Sequence, residues 1–167
     1  MVNNIDTVNE NIIWECLYDV EDPELPISIV DLGIVNQVAI VRDETVNNGS
    51  KVFVDITPTF TGCPAWKEIE KRVIENVSLI ENVTEVQVRL NYSTEWTLEK
   101  ISLKGKAKLN EFGVAMSKIW RGKEIVRCPR CKATNVSREN EFGPTLCKMI
   151  YYCNDCREPF EALKSLL

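Results

Sequence analysis

Four of the seven cysteines fall in two C-x-x-C pairs, Cys128-Pro129-Arg130-Cys131 and Cys153-Asn154-Asp155-Cys156, with 21 residues between them. Two intervening residues let both sulfurs of one turn face a common point while backbone N–H groups damp the thiolate charge. Two such turns supply the four soft ligands that a tetrahedral Zn²⁺ site requires. The chain contains no histidine, which removes mixed Cys/His sites, His-based triads and His general bases. A thioredoxin-like redox pair would need a βαβ setting. Iron in a rubredoxin-like Cys₄ site would use the same ligands, so zinc rests on cellular availability and not on spacing. Cys147 lies six residues before Cys153 and could replace one of the four, but a tetrahedron has no fifth place; it is expected to be a thiol packed in the ribbon.

A second candidate is Cys63, in the run Thr57-Pro58-Thr59-Phe60-Thr61-Gly62-Cys63-Pro64-Ala65, which ends a strand and opens a helix. A thiol there meets the positive end of the helix dipole and unpaired backbone donors, both of which favour the thiolate. Gly62 would let another group approach closely, and Thr57, Thr59 and Thr61 would supply hydroxyls. The bland alternative is a small thiol filling a strand–helix corner. Position alone leaves both open. For Cys16, on the apolar face of the first helix, filler is the better reading. Asp22, Glu24 and Asp31 surround Pro23 and Pro26. They are either solvated loop acids and caps, or carboxylates that a rigid loop presents towards the Cys63 corner.

The elements that must position these groups are legible from periodicity. Thr7 and Glu10 have capping-box spacing, and Ile12, Ile13, Cys16, Leu17 and Val20 share a helical face. Two prolines forbid the helix beyond Asp22. Period-2 alternation predicts strands at Val35 to Arg42, Lys51 to Thr57 and Thr84 to Tyr92, the last with Val86, Val88, Leu90 and Tyr92 on one face. The Asn48-Gly49 pair makes the first two a hairpin. Between the second and third strands, Pro64 to Val77 reads as a helix with Trp66, Ile69, Val73 and Val77 inward. A further helix is expected from Thr97 to Phe112, with Leu98, Ile101, Leu109 and Phe112 inward and Gly113 as its stop. The predicted class is α+β: a small three-stranded sheet covered by helices (α-β-β-α-β-α), followed by a C-terminal zinc ribbon. The expected division is a domain at 1–113, a linker at 114–126 and the ribbon at 127–167. Two strands and a turn fit between the knuckles, with Gly143-Pro144 as the break before an alternating Leu146 to Tyr152.

Size and charge narrow the function. Of 167 residues, an appendix of about 40 cannot bury enough apolar surface to fold without a staple. The net charge of -5 is uneven: residues 1–60 carry eleven acids and two bases, and residues 123–167 carry eight bases and six acids. Four thiolates and one Zn²⁺ bring the tail near neutrality, a poor match for polyphosphate, so no nucleic-acid partner is expected. The N-terminus has no basic or apolar leader pattern, and no apolar run is long enough to span a membrane. An odd number of cysteines, two pairs of them in C-x-x-C spacing, fits reduced thiols in the cytoplasm better than a disulfide framework. An enzyme built on a Cys63 nucleophile would need a carboxylate or lysine base, and no phosphate loop or cofactor fingerprint accompanies it.

Two motif sets carry a family resemblance. Asp22-Pro23-Glu24-Leu25-Pro26, Asp31-Leu32-Gly33 and Thr57 to Pro64 resemble the small iron–sulfur cluster assembly domain of SufT-like proteins, and Trp96-Thr97 with Leu109 to Gly113 fit its final helix. The tail is similar to that of PaaD-like proteins of the phenylacetyl-CoA epoxidase system: Cys128-Pro129-Arg130-Cys131, Phe142 to Lys148, then Cys153, Cys156 and Arg157-Glu158-Pro159-Phe160. The resemblance covers nearly the whole chain. It implies an accessory protein, not a catalytic subunit, which helps to mature or insert iron–sulfur centres in oxygenase or reductase clients. It makes Cys63 the motif cysteine, with Asp22, Glu24 and Thr61 as candidate neighbours. One cysteine cannot supply the usual four cluster ligands. Contact with a transient iron–sulfur cluster would therefore need a client or thiolates shared in a homo-oligomer. The competing expectation is a docking subunit of an oxygenase complex in which Cys63 is structural.

Overall fold

The first helix opens on Asn9, whose Oδ1 accepts the Ile12 N–H at 3.1 Å, and α1 runs Glu10–Tyr18. The expected capping partner Thr7 lies outside the residues that this computed structural model describes, 8–164. Ile13, Leu17 and Val20 are buried, but Ile12 turns outward. Asp22 Oδ1 accepts the N–H groups of Glu24 and Leu25 at 2.8 and 3.0 Å, closing the proline loop as an Asx-type turn.

The contacts group the described residues into two units, one holding those up to Pro58 with Pro64–Glu95, the other Thr59–Cys63 with those from Trp96 to Lys164. In the first unit, β1 (Val35–Arg42) pairs antiparallel with β2 (Ser50–Ile56), and β2 pairs in parallel with β3 (Val83–Leu90). The parallel pairing needs a crossover, which α2 (Trp66–Val77) provides. The sheet order is β1-β2-β3.

Alternation separates the faces of this sheet. Val38, Val52, Val54 and Ile56 are buried with Ile69, Val73 and Val77 of α2, while Trp66 is half-buried. Each fully buried Val, Ile or Leu side chain contributes about 1.5–3 kcal/mol. On the outer face Lys51 pairs with Glu85 at 2.9 Å and Arg89 with Asp55 at 2.7 Å, neighbours in the β2–β3 register. Tyr92 falls beyond the end of β3 and is exposed, so the apolar face stops sooner than alternation predicts.

The hairpin loop is tied from inside. Asp43 Oδ1 accepts from the Thr45 N–H and hydroxyl, and Oδ2 accepts from the Thr84 hydroxyl at 2.7 Å. These bonds, led by the Thr45 hydroxyl, hold the Asp43 carboxyl down at about 2. Gly49 closes the turn where a Cβ would come within 2.8 Å of Val46 Cβ.

In the second unit a single 3₁₀ turn (Leu98–Lys100) precedes α3 (Leu103–Glu111), so the expected continuous helix is broken in two. Ser102 causes the break: its extended backbone and side-chain oxygen, which accepts the Gly105 N–H at 2.9 Å, make it an N-cap. Leu98, Ile101 and Leu109 are buried as expected, but Phe112 lies past the helix end and is exposed. Gly113, with φ +87°, ends the helix in the left-handed region.

Residues 114–126, expected to be a linker, carry three short strands. β4 (Val114–Met116) joins the sheet of the ribbon, and β5 (Lys118–Trp120) pairs with β6 (Lys123–Ile125) across an Arg121-Gly122 turn. The remaining strands are β7 (Val136–Asn140), β8 (Lys148–Cys153) and β9 (Pro159–Leu163), in the order β4-β9-β8-β7, with β4 parallel to β9. Their shared core gathers Ala115, Val126, Met149, Tyr151, Phe160 and Ala162 around Cys128 and Cys153. Lys148 is buried and paired with Glu161 at 2.9 Å. Among the described residues no helix is long and apolar enough to cross a membrane.

Candidate metal centre

The two knuckles repeat one hydrogen-bond scheme. The N–H one residue past the second cysteine returns to the carbonyl of the first: Lys132 to Cys128 at 3.0 Å and Arg157 to Cys153 at 2.9 Å. The first cysteine's own N–H donates two residues past the second: Cys128 to Ala133 and Cys153 to Glu158. Both turns need a left-handed residue, and Lys132 (φ 64°) and Arg157 (φ 60°) adopt it. β7 and β8 lie between the knuckles, and β9 follows the second, so the strands bring the turns together.

All four Sγ atoms of Cys128, Cys131, Cys153 and Cys156 lie within 4.8 Å of one another. The Cys128–Cys156 and Cys131–Cys153 separations are 3.7 and 3.5 Å. Tetrahedral zinc with Zn–S bonds of about 2.3 Å sets its sulfurs roughly 3.8 Å apart. The donor set therefore fits a tetrahedral thiolate site. The backbone favours charge on it: the N–H groups of Cys156 and then Asp155 act on Cys153 and hold its thiol at about 7. Cys156 is pushed up to about 12, by desolvation first and by the neighbouring sulfurs second. Cys128 and Cys153 are buried and Cys131 is at the surface. Cys147 is not in the cluster; its sulfur lies 3.1 Å from the Thr145 hydroxyl.

Cys63 sits in a β-turn, its N–H donating to Phe60 O at 3.2 Å, with Gly62 at φ +79° as the third residue. A Cβ on Gly62 would meet nothing within 4 Å, so the space beside it is open, and its φ suits glycine. The thiol is half-buried and precedes α2, whose cap residue is Ala65. Thr57 is buried with its hydroxyl fully engaged, accepting from Asn36 Nδ2 at 2.5 Å and donating to Asn91 O at 2.6 Å. It is a clasp of the first unit, not a free hydroxyl. Thr61 is exposed on the turn. Asp22 and Glu24 are half-buried members of the first unit, and Asp31 is buried there, whereas Thr61 and Cys63 group with the second.

Sequence reasoning missed the partition that separates Thr59–Cys63 from its chain neighbours. The contacts that accompany it join aromatic and cationic residues far apart in sequence, which carry no local signal. Lys164 Nζ lies 5.7 Å from the Phe60 ring centroid and 4.6 Å from that of Phe142.

Comparison with known proteins adds a consistent picture. Residues 10–88 match the iron–sulfur cluster assembly protein family, and residues 112–164 match the PaaD zinc beta ribbon domain. An Escherichia coli (strain K12) protein, provisionally named as a subunit of 1,2-phenylacetyl-CoA epoxidase, is 33% identical over 92% of both chains. The Staphylococcus aureus (strain USA300) Fe-S protein maturation auxiliary factor SufT is 37% identical over 53% of this chain and 93% of its own length. Among solved structures, a conserved hypothetical protein of Thermotoga maritima superposes with a TM-score of 0.51 at 28% identity, covering 62% of this chain and 96% of that one.

Proposed function

Since the chain belongs to the PaaD-like family, an iron–sulfur assembly domain joined to a zinc ribbon, we propose that it is a maturation factor for an iron–sulfur client in phenylacetyl-CoA oxidation. The client is a reductase or oxygenase subunit of that system. Cys63 is the thiol that touches the cluster or its iron in passage, and Asp22, Glu24 and Thr61 are its candidate helpers. The observation that carries this reading is the division of labour between the two thiol sites. A closed Cys₄ set has no open position for chemistry, so its metal, zinc, shapes the ribbon. Cys63 stands outside that set, on a turn within the span that matches the assembly family. The relatives named as maturation auxiliary factors support the same role and a non-catalytic one. Seven thiols without a disulfide suit the cytoplasm.

The test is co-production of the client reductase with the intact chain or with Cys63→Ser. Loss of client iron and acid-labile sulfide, with the ribbon's metal retained, is the expected result. Full client loading by the variant would refute the role given to Cys63. A docking subunit is the second reading, favoured by the epoxidase name of the Escherichia coli relative. Under it Cys63→Ser leaves both loading and complex formation intact.

A further inference from the structure

The last strand of the ribbon ends one residue before Lys164, whose N–H donates to Cys147 O at 2.9 Å. That bond fixes the backbone of Lys164 to the turn between β7 and β8. Its side chain then reaches two rings from separate parts of the chain, Phe142 at 4.6 Å and Phe60 at 5.7 Å. Both distances lie inside the roughly 6 Å range of cation–π attraction. Phe60 is the first residue of the β-turn that Cys63 closes.

We infer that Lys164 is a positioning residue for Cys63, the strut through which the ribbon holds the thiol-bearing turn. Three observations converge on this. The Thr59–Cys63 segment groups with the unit that contains the ribbon while the residues on either side of it do not. Gly62 has open space around its Cβ position, so packing at that residue does not fix the turn. Phe60 is half-buried, and the ammonium over its ring is anchored at its own backbone. The ribbon thereby acquires a task beyond docking: it sets the exposure and orientation of Cys63. The inference deepens the functional reading given above and rests on Cys63 being the working thiol, but its test does not depend on any client.

The experiment is alkylation of the full metal-loaded chain by iodoacetamide, with the rate at Cys63 resolved by peptide mass spectrometry and the rate at Cys16 as an internal reference. Lys164→Ala should raise the Cys63 rate about threefold, in line with the loss of modest cation–π contacts. Cys16 and metal content should not change, and Lys164→Arg should restore the original rate. Phe60→Leu, which removes the ring and keeps the lysine, should reproduce the rise. A Cys63 rate unchanged in both Lys164→Ala and Phe60→Leu overturns the inference. So does loss of metal from Lys164→Ala, which would make the lysine part of the ribbon's own fold. If Cys63→Ser leaves client loading intact while these rates behave as expected, the functional reading falls and the strut stands.

Discussion

Lys132 and Arg157 occupy equivalent places in the two halves of the four-cysteine cluster, each one residue past a second cysteine and each in the left-handed region. The equivalence extends to their N–H groups, which both return to the first cysteine's carbonyl. A side chain in this conformation costs about 1–2 kcal/mol, and a β-branched one costs more.

Arg157→Gly should therefore keep one metal per chain and release it to a chelator no faster than the original. Arg157→Val should destabilise the knuckle by about 1–2 kcal/mol and speed that release. Equal release rates for the two variants would show that the conformation at 157 does not constrain the site.

The ligand set makes a second prediction. Cys→Ser at 128, 131, 153 or 156 should lower the bound metal well below one per chain and loosen the ribbon. Cys147→Ser should leave it at one, because that sulfur faces the Thr145 hydroxyl and lies outside the cluster. Element analysis of the purified variants decides this and distinguishes zinc from iron.

A third concerns acid. The Asp43 carboxyl is held at about 2, below its ordinary 3.8, chiefly by the Thr45 hydroxyl and then by Thr84. A depressed folded value means that the carboxylate stabilises the hairpin loop above its unfolded value. That contribution is lost as pH falls from about 4 through 2. The Asp43 Cγ resonance should titrate near 2, and Thr45→Ala should move its midpoint up towards the ordinary range. A midpoint near 3.8 in the unaltered chain would remove the basis for this.

What the sequence discloses is what local rules govern. The C-x-x-C spacing encodes a knuckle within six residues, so the four-cysteine cluster is legible without a fold. The burial of Val52, Val54 and Ile56 in β2 and of Ile69, Val73 and Val77 in α2 follows from strict periodicity. Periodicity fails at the ends of elements: Tyr92 and Phe112 continue a pattern but sit past the last residue that packs. The 114–126 segment read as a linker because three-residue strands are too short to show alternation, and their pairing depends on residues as distant as Leu163. The attachment of the Cys63 turn to the ribbon is illegible for the same reason. Phe60, Phe142 and Lys164 are unremarkable singly and meaningful only once brought together.

The parallel pairing of β4 with β9, Val114 opposite Glu161 and Met116 opposite Leu163, has a consequence for synthesis. β4 leaves the ribosome long before the strand beside which it must lie, with both knuckles translated in between. The sheet that aligns the sulfurs is incomplete until β9 emerges, so firm ion capture waits for a strand that carries no ligand. A chain cut short just after Arg157 would keep all its cysteines and lose its hold on the metal.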